Sequence, residues 1–321
     1  MMSDSPLTVR VASKKTEAAD ICSYELVDVE GRELPAYSAG SHIDVYLPNG
    51  ITRQYSLCNN PAERARYRIA VLREPATRGG SAAMHDTVQQ GGLLQISSPR
   101  NLFPLNENAR RHILLAGGIG VTPLLCMAQR LGAIESEFDL HYCTRSADRA
   151  AFRSELAQAA YAKRVHFHTD DGLTEQRLDM AAVCTPQEGT HLYVCGPAGF
   201  MDAVLDTARE RGWPEDRLHY EFFAGPATAS DGDSPFVVKI ASTGQLVDVP
   251  ADLSVVQALA GAGIDVPVAC EQGICGTCLT RVLAGQPDHR DLFLSSEEQV
   301  NGGQFTPCCS RSRTPMLVLD L

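Results

Sequence analysis

A chain of 321 residues, 44% hydrophobic and 21% charged, is too long for one ordinary core and predicts two or three soluble domains. Its formal net charge of −11 argues against a phosphate backbone as the main partner, and no apolar run nears the roughly 20 residues that span a bilayer. The start, Met1 to Pro6, lacks a basic stretch followed by an apolar one, so a cytoplasmic setting is expected. There, eleven cysteines point to metal or redox chemistry before disulfides.

Over residues 1–105 short alternating runs recur: Leu7 to Val11, Ser23 to Val27, His42 to Leu47, Tyr67 to Val71 and Leu93 to Ile96. Gly and Pro punctuate them, Pro48-Asn49-Gly50 forming a turn, and the pattern predicts an antiparallel β-barrel. Arg53-Gln54-Tyr55-Ser56 lies inside this stretch and Arg78-Gly79-Gly80-Ser81 further along it. Arg53 and Arg78 have the charge to neutralise a phosphate, and Gly79, Gly80 and Ser81 would open a helix whose N–H groups meet it. Taken alone, four residues of either kind describe no more than a strand or a turn.

Residues 106–226 alternate apolar strands with helical patterns, which predicts a parallel sheet. His112 to Ala116 runs through Gly117-Gly118-Ile119-Gly120-Val121-Thr122 into a helix over 123–131, with Pro123 at its first position. Such a turn lets backbone approach a dinucleotide pyrophosphate, although the third glycine of the Rossmann fingerprint is missing and many such turns only join a strand to a helix. A strand over 138–143, a helix over 150–161 and a strand over 165–168 follow. His191 to Cys195 then leads through Gly196-Pro197 into a helix over 199–211. Arg145 follows the strand over 138–143, and no acidic residue ends that strand to claim a ribose hydroxyl. Arg145 would therefore pair with a 2′-phosphate, favouring NADPH, or be a solvated loop charge like Arg149.

Residues 227–235 lack apolar periodicity and predict a linker. The remainder, 236–321, is a short α+β unit: a hairpin over 237–240 and 246–249, then a helix over 253–260 capped by Asp252 or Ser254. It holds Cys270, Cys275, Cys278 and the adjacent pair Cys308 and Cys309. The spacing C-x4-C-x2-C with one distant cysteine is the plant-type pattern for a 2Fe–2S cluster, whereas zinc favours paired C-x2-C knuckles. Gly273 and Gly276 fall where the backbone must turn tightly and aim N–H groups at sulfur. Either Cys308 or Cys309 would serve as fourth ligand; neighbours on an extended segment point opposite ways, so one of them faces elsewhere.

This last stretch resembles a plant-type ferredoxin domain along its length, and the ferredoxin spacing implies Cys308 as the ligand. The paired turns GGIGVTP and CGPxGFM resemble the ferredoxin–NAD(P)+ reductases. That likeness implies that Gly117, Gly118, Gly120, Thr122 and Pro123 hold the pyrophosphate, and that Cys195, with Gly196 and Pro197, borders the hydride-transfer position. Arg53, Tyr55 and Ser56, with Arg78 to Ser81, resemble the flavin motifs of the same proteins. Tyr55 and Ser56 would then meet the flavin ring, and Phe223, after Glu221 and Phe222, would lie near it.

The three stretches in order resemble the phthalate dioxygenase reductase family, which implies a multidomain fold of flavin barrel, nicotinamide domain and β-grasp ferredoxin domain. The implied cofactors are FMN, NADH and a 2Fe–2S cluster. The implied function is the reductase component of a two-component aromatic-ring oxygenase or O-demethylase, monomeric by itself, supplying single electrons to a Rieske non-haem iron oxygenase. A haem-thiolate or di-iron monooxygenase is the alternative client, and a non-enzymatic redox sensor is a more distant reading that leaves two cofactor sites unused.

Overall fold

The computed structural model describes residues 6–75, 79–223 and 232–321, except for the side chain of Glu175. The chain divides into two compact units, Met1–Phe223 and Ala224–Leu321. Most of the expected linker lies outside the described residues. Among those that are described, no helix is long and apolar enough to cross a membrane.

The first unit begins with an antiparallel sheet built from β1 (Leu7–Ala18), β2 (Ile21–Asp28), β3 (Ser41–Tyr46), β4 (Thr52–Ser56), β5 (Tyr67–Leu72), β6 (Leu93–Ile96) and β7 (Arg100–Asn101). The strand order is β4-β3-β6-β1-β2-β5, with β7 beside β3. The path curls back on itself: just past β4, the Cys58 N–H donates to the Arg68 carbonyl of β5 at 2.8 Å. Alternate side chains of the strands, including Val9, Val11, Ile43, Val45, Tyr67 and Ile69, fill the interior with no exposure. The Pro48–Gly50 turn joins β3 to β4 as expected, Gly50 at φ 79° and its N–H on the Leu47 carbonyl at 2.9 Å. A short helix α1 (Gly80–Asp86) lies between β5 and β6.

A parallel sheet follows in the same unit: β8 (Arg111–Gly117), β9 (Phe138–Thr144), β10 (Val165–Thr169), β11 (Thr190–Gly196) and β12 (Leu218–Phe222), in the order β10-β9-β8-β11-β12. Helices α2 (Val121–Ala133), α3 (Arg153–Gln158), α4 (Met180–Val183) and α5 (Ala198–Glu210) accompany it. Two expectations need correction. Helix α2 starts at Val121 after a 3-10 turn, so Pro123 is its third residue, still in the first turn where no N–H acceptor is available. The helix expected over 150–161 shrinks to α3, because Phe152 before it is left-handed at φ 58° and Ala159 after it is extended. The barrel and this sheet are tied by a half-buried bidentate pair: Arg68 on β5 donates to both carboxylate oxygens of Glu155 on α3, each at 2.8 Å.

The second unit holds β13 (Phe236–Ile240), β14 (Leu246–Val249), α6 (Val255–Gly261), β15 (Thr280–Ala284), β16 (Pro287–Asp288), α7 (Ser296–Asn301), β17 (Gln304–Phe305), β18 (Arg311–Ser312) and β19 (Met316–Leu319). Its sheet runs β14-β13-β19-β15-β17, with the hairpin antiparallel and β13 parallel to β19. Ser254 proves to be the cap of α6, in a reciprocal box with Gln257: Gln257 N–H donates to Ser254 Oγ at 3.2 Å and Ser254 N–H to Gln257 Oε1 at 2.9 Å.

Candidate redox sites

In the parallel sheet, β8 connects onward to β9 on one side while β11 lies on its other side. The strand order therefore reverses between β8 and β11, and open α/β sheets place ligands at the carboxyl ends of strands at such a point. Both glycine turns sit there. They also pack on each other: a Cβ on Gly120 would lie 2.2 Å from the Cys195 carbonyl oxygen, and one on Gly117 would lie 2.9 Å from Pro197 Cδ. Gly117 and Gly120 are thus required by the close approach of the second turn. Gly118, at φ 53°, has nothing within 4 Å of its Cβ direction and is the open backbone of the pair. Thr122 donates to the Ile119 carbonyl at 3.1 Å and stiffens the same turn, and Pro123 is buried beneath it. Pro197 precedes α5 as its cap residue.

Arg145 is exposed just past β9. Its surroundings contain what its own strand lacks. Asp170 and Asp171 follow the neighbouring strand β10, and their N–H groups donate to the carbonyls of Thr144 and Arg145 at 3.1 and 3.2 Å. The sequence signal is the Asp170-Asp171-Gly172 run directly after the strand Val165–Thr169, visible only when adjacent strands are considered together.

On the barrel, the Arg53 side chain lies across Gly80, where a Cβ would come within 2.7 Å of Arg53 Cγ and Nε. Arg53, Gly79, Gly80 and Ser81 therefore share one place, with Gly79 left-handed at φ 97° ahead of α1. Ser81 Oγ accepts from the Glu74 N–H at 3.1 Å. Arg78 lies outside the described residues. Tyr55 packs on the barrel core, and burial pushes its hydroxyl pKa well up.

Ser56 ends β4 and donates through Oγ to Glu221 Oε2 on β12 at 3.1 Å. Glu221 is in turn the sheet partner of Cys195 on β11. A residue of the barrel motif, the cysteine of the second turn and a carboxylate of the last strand are thus joined. Burial raises the Glu221 pKa from 4.5 to about 7, opposed by the Ser56 hydrogen bond. The Cys195 thiol has no exposure, and burial, then the Glu221 charge, push its pKa well up, so it stays a thiol at neutral pH. Phe223, two residues after Glu221, is 37% exposed. Glu221 is a site residue that the sequence motifs do not single out; its one signal is its place in the run Glu221-Phe222-Phe223.

Glu221 binds its proton more tightly folded than unfolded. The stability it allows is full below about 4.5 and is lost as pH rises through about 7. Glu221→Gln is expected to gain on wild type by about 2–3 kcal/mol between pH 4.5 and 8. Denaturant unfolding at the two pH values measures the gap, and a pH-independent gap would show that Glu221 titrates normally.

In the second unit, the loop after α6 brings its cysteines together. The Cys270 thiol is within hydrogen-bond reach of those of Cys275 and Cys308, and Cys278 within reach of Cys308. Backbone donors aim at the sulfurs: Gln272 N–H to Cys270 at 3.3 Å and Thr277 N–H to Cys275 at 3.5 Å. Four converging thiols with N–H donors around them are a donor set that fits an iron–sulfur cluster. Gly273, at φ 72°, leaves room for Cys309, whose sulfur would be 2.4 Å from a Cβ there. Phe293, 36% exposed, lays its ring across Gly276. Cys308 and Cys309 lie in a turn, not an extended segment. What separates them is therefore their partners and not strand alternation.

The chain is similar to known redox proteins along nearly its whole length. Residues 238–313 match the 2Fe–2S iron–sulfur cluster binding domain family, and residues 96–218 match the N-terminal domain of dimethylamine monooxygenase subunit DmmA-like proteins. A vanillate O-demethylase oxidoreductase of Pseudomonas sp. strain HR199 is 54% identical over 316 residues, 98% of this chain and 100% of the relative. A phthalate dioxygenase reductase of Burkholderia cepacia is 40% identical over 320 residues, covering 99% and 98% of the two chains. A solved phthalate dioxygenase reductase, described as a modular structure for electron transfer from pyridine nucleotides to [2Fe–2S], superimposes with a TM-score of 0.80 at 40% identity, over 99% of this chain and 98% of that one.

Proposed function

The chain belongs to the phthalate dioxygenase reductase family, an iron–sulfur oxidoreductase of an oxygenase system, and we propose that it is the cytoplasmic, NADH-dependent reductase of an aromatic O-demethylase or ring oxygenase. FMN is the proposed flavin, and a Rieske non-haem iron oxygenase the proposed client of a reductase that is monomeric by itself. The observation that carries this reading is the Ser56–Glu221 hydrogen bond, which ties the barrel motif to the switch-point end of the parallel sheet.

A bound flavin supplies the conversion between a two-electron hydride donor and a one-electron acceptor such as 2Fe–2S. The chain's own residues do the holding. Arg53 and the Gly79–Ser81 turn, with Arg78, would hold the flavin phosphate, while Tyr55 and Phe223 would offer ring faces to the isoalloxazine. Ser56, held by its hydrogen bond to Glu221, would offer its hydroxyl oxygen to the flavin, and Cys195, an uncharged buried thiol, would border the hydride-transfer position. Gly117, Gly118, Gly120, Thr122, Pro123, Gly196 and Pro197 shape the pyrophosphate site, with Gly118 the open donor. Asp170 and Asp171 beside Arg145 favour NADH, because carboxylates accept from a free ribose hydroxyl and repel a 2′-phosphate. Cys270, Cys275, Cys278 and Cys308 are the proposed cluster ligands.

Acid extraction of the purified protein is expected to release FMN, and NADH to support at least tenfold faster ferricyanide reduction than NADPH. Recovery of FAD would overturn the flavin assignment, and a preference for NADPH would return Arg145 to a 2′-phosphate. Oxygenase turnover with a copurifying or neighbouring-gene partner identifies the client; support only of a haem-thiolate or di-iron enzyme would remove the Rieske reading.

A further inference from the structure

Behind the cysteine loop lies a buried polar chain that the redox sites leave unexplained. The Asp291 side chain has no exposure, and both its oxygens accept: Oδ2 from the Leu294 N–H at 2.8 Å, Oδ1 from Ser310 Oγ–H at 3.2 Å. The single Ser310 hydroxyl proton is spent there, so Ser310 Oγ accepts from the Arg290 N–H at 3.1 Å and from Thr306 Oγ1–H at 3.1 Å. Thr306 has then used its own proton and accepts from the Cys309 thiol at 3.2 Å. The carboxylate therefore dictates the direction of every bond back to Cys309, whose sulfur rests on Gly273 of the ligand loop. A second route is shorter: Leu292, next to Asp291, donates its N–H to the Gly273 carbonyl at 2.9 Å.

Burying a carboxylate is costly, and among the described residues no arginine is paired with this one. Neighbouring Arg290 is engaged with Asp233 and Asp288 instead, and the nearby His289 holds Nδ1 at a loose 3.4 Å from Asp291 Oδ1. We infer that Asp291 is a positioning residue for the iron–sulfur centre, ordering the Ser310–Thr306–Cys309 chain behind Gly273 and holding a negative charge near the loop that disfavours reduction. This rests on the second unit being a 2Fe–2S domain. The effect of the charge follows from Coulomb repulsion in a weakly screened interior: each added electron meets a fixed anion.

The test uses the full-length protein, with Asp291→Asn and Ser310→Ala compared with wild type. Iron and acid-labile sulfide report cluster content, and a reductive titration followed by electron paramagnetic resonance reports the midpoint potential. Asp291→Asn is expected to raise the reduced-to-oxidised ratio at the wild-type midpoint about tenfold, which is about 59 mV for one electron. Ser310→Ala keeps the charge but cuts the chain, so its cluster is expected to bleach several-fold faster under a chelator with a smaller shift in potential. An Asp291→Asn protein with full cluster and an unmoved potential overturns the proposal. If that variant does not fold, a Ser310→Ala cluster as durable as wild type overturns it instead. Absence of any cluster in wild type would refute the domain reading and is read separately, from the iron analysis alone.

Discussion

Cys308→Ser is expected to remove the iron–sulfur chromophore almost completely, whereas Cys309→Ser keeps it. The two side chains are adjacent but differently engaged. Cys308 lies within reach of both Cys270 and Cys278. Cys309 sets its sulfur 3.2 Å from Thr306 Oγ1 and donates its S–H toward the Thr306 carbonyl at 3.8 Å, a role a coordinated thiolate does not fill. Serine is a hard oxygen donor and a poor replacement at a soft iron–sulfur position, but at 309 it restores the same hydrogen bond from a smaller atom. Visible absorption with iron and sulfide analysis gives the comparison. Both variants should still pass electrons from NADH to ferricyanide, because the flavin and nicotinamide residues belong to the other compact unit. A colourless Cys309→Ser protein beside a coloured Cys308→Ser protein would move the ligand by one residue.

Gly120→Ala is expected to slow flavin reduction by NADH at least 100-fold, on the scale set by roughly 1 Å misplacements in catalytic geometry. The added methyl would meet the Cys195 carbonyl oxygen at 2.2 Å, the carbonyl carbon at 2.4 Å and the Gly196 nitrogen at 2.6 Å. All three are backbone atoms of one turn, so no rotamer relieves the clash and the two turns must separate. Flavin content should stay near normal, because Arg53 and Gly80 are on the barrel. Gly118→Ala is the counterpart: it strains a left-handed residue at φ 53° but its methyl meets no protein atom, so it should raise the concentration of NADH required more than it lowers the limiting rate. Stopped-flow bleaching of the flavin separates the two. A Gly120→Ala protein reduced at the wild-type rate would mean that the packing of the turns does not position the nicotinamide.

Much of this protein was legible in one dimension. Alternation in Leu7 to Val11 and the βαβ rhythm after residue 106 depend on side chains every second residue and on short connections, so local pattern carries them. The cysteine spacing is likewise local, because one loop must wrap a cluster of fixed size. What the linear order could not carry is everything that depends on which strands become neighbours. Glu221 acquires its raised pKa because β12 folds beside β11 and buries it there, against the opposing hydrogen bond from Ser56, a residue 165 positions earlier. Asp170 and Asp171 matter to Arg145 only because β10 pairs with β9. Gly120 is a glycine because another turn presses on it, not because its own φ demands one. The different roles of Cys308 and Cys309 likewise come from Thr306, Ser310 and Asp291, brought together by the fold of the second unit. Composition and spacing determined which chemistries this chain can hold; burial and long-range pairing, whose energies exist only between distant residues, decided which atoms face one another to carry them out.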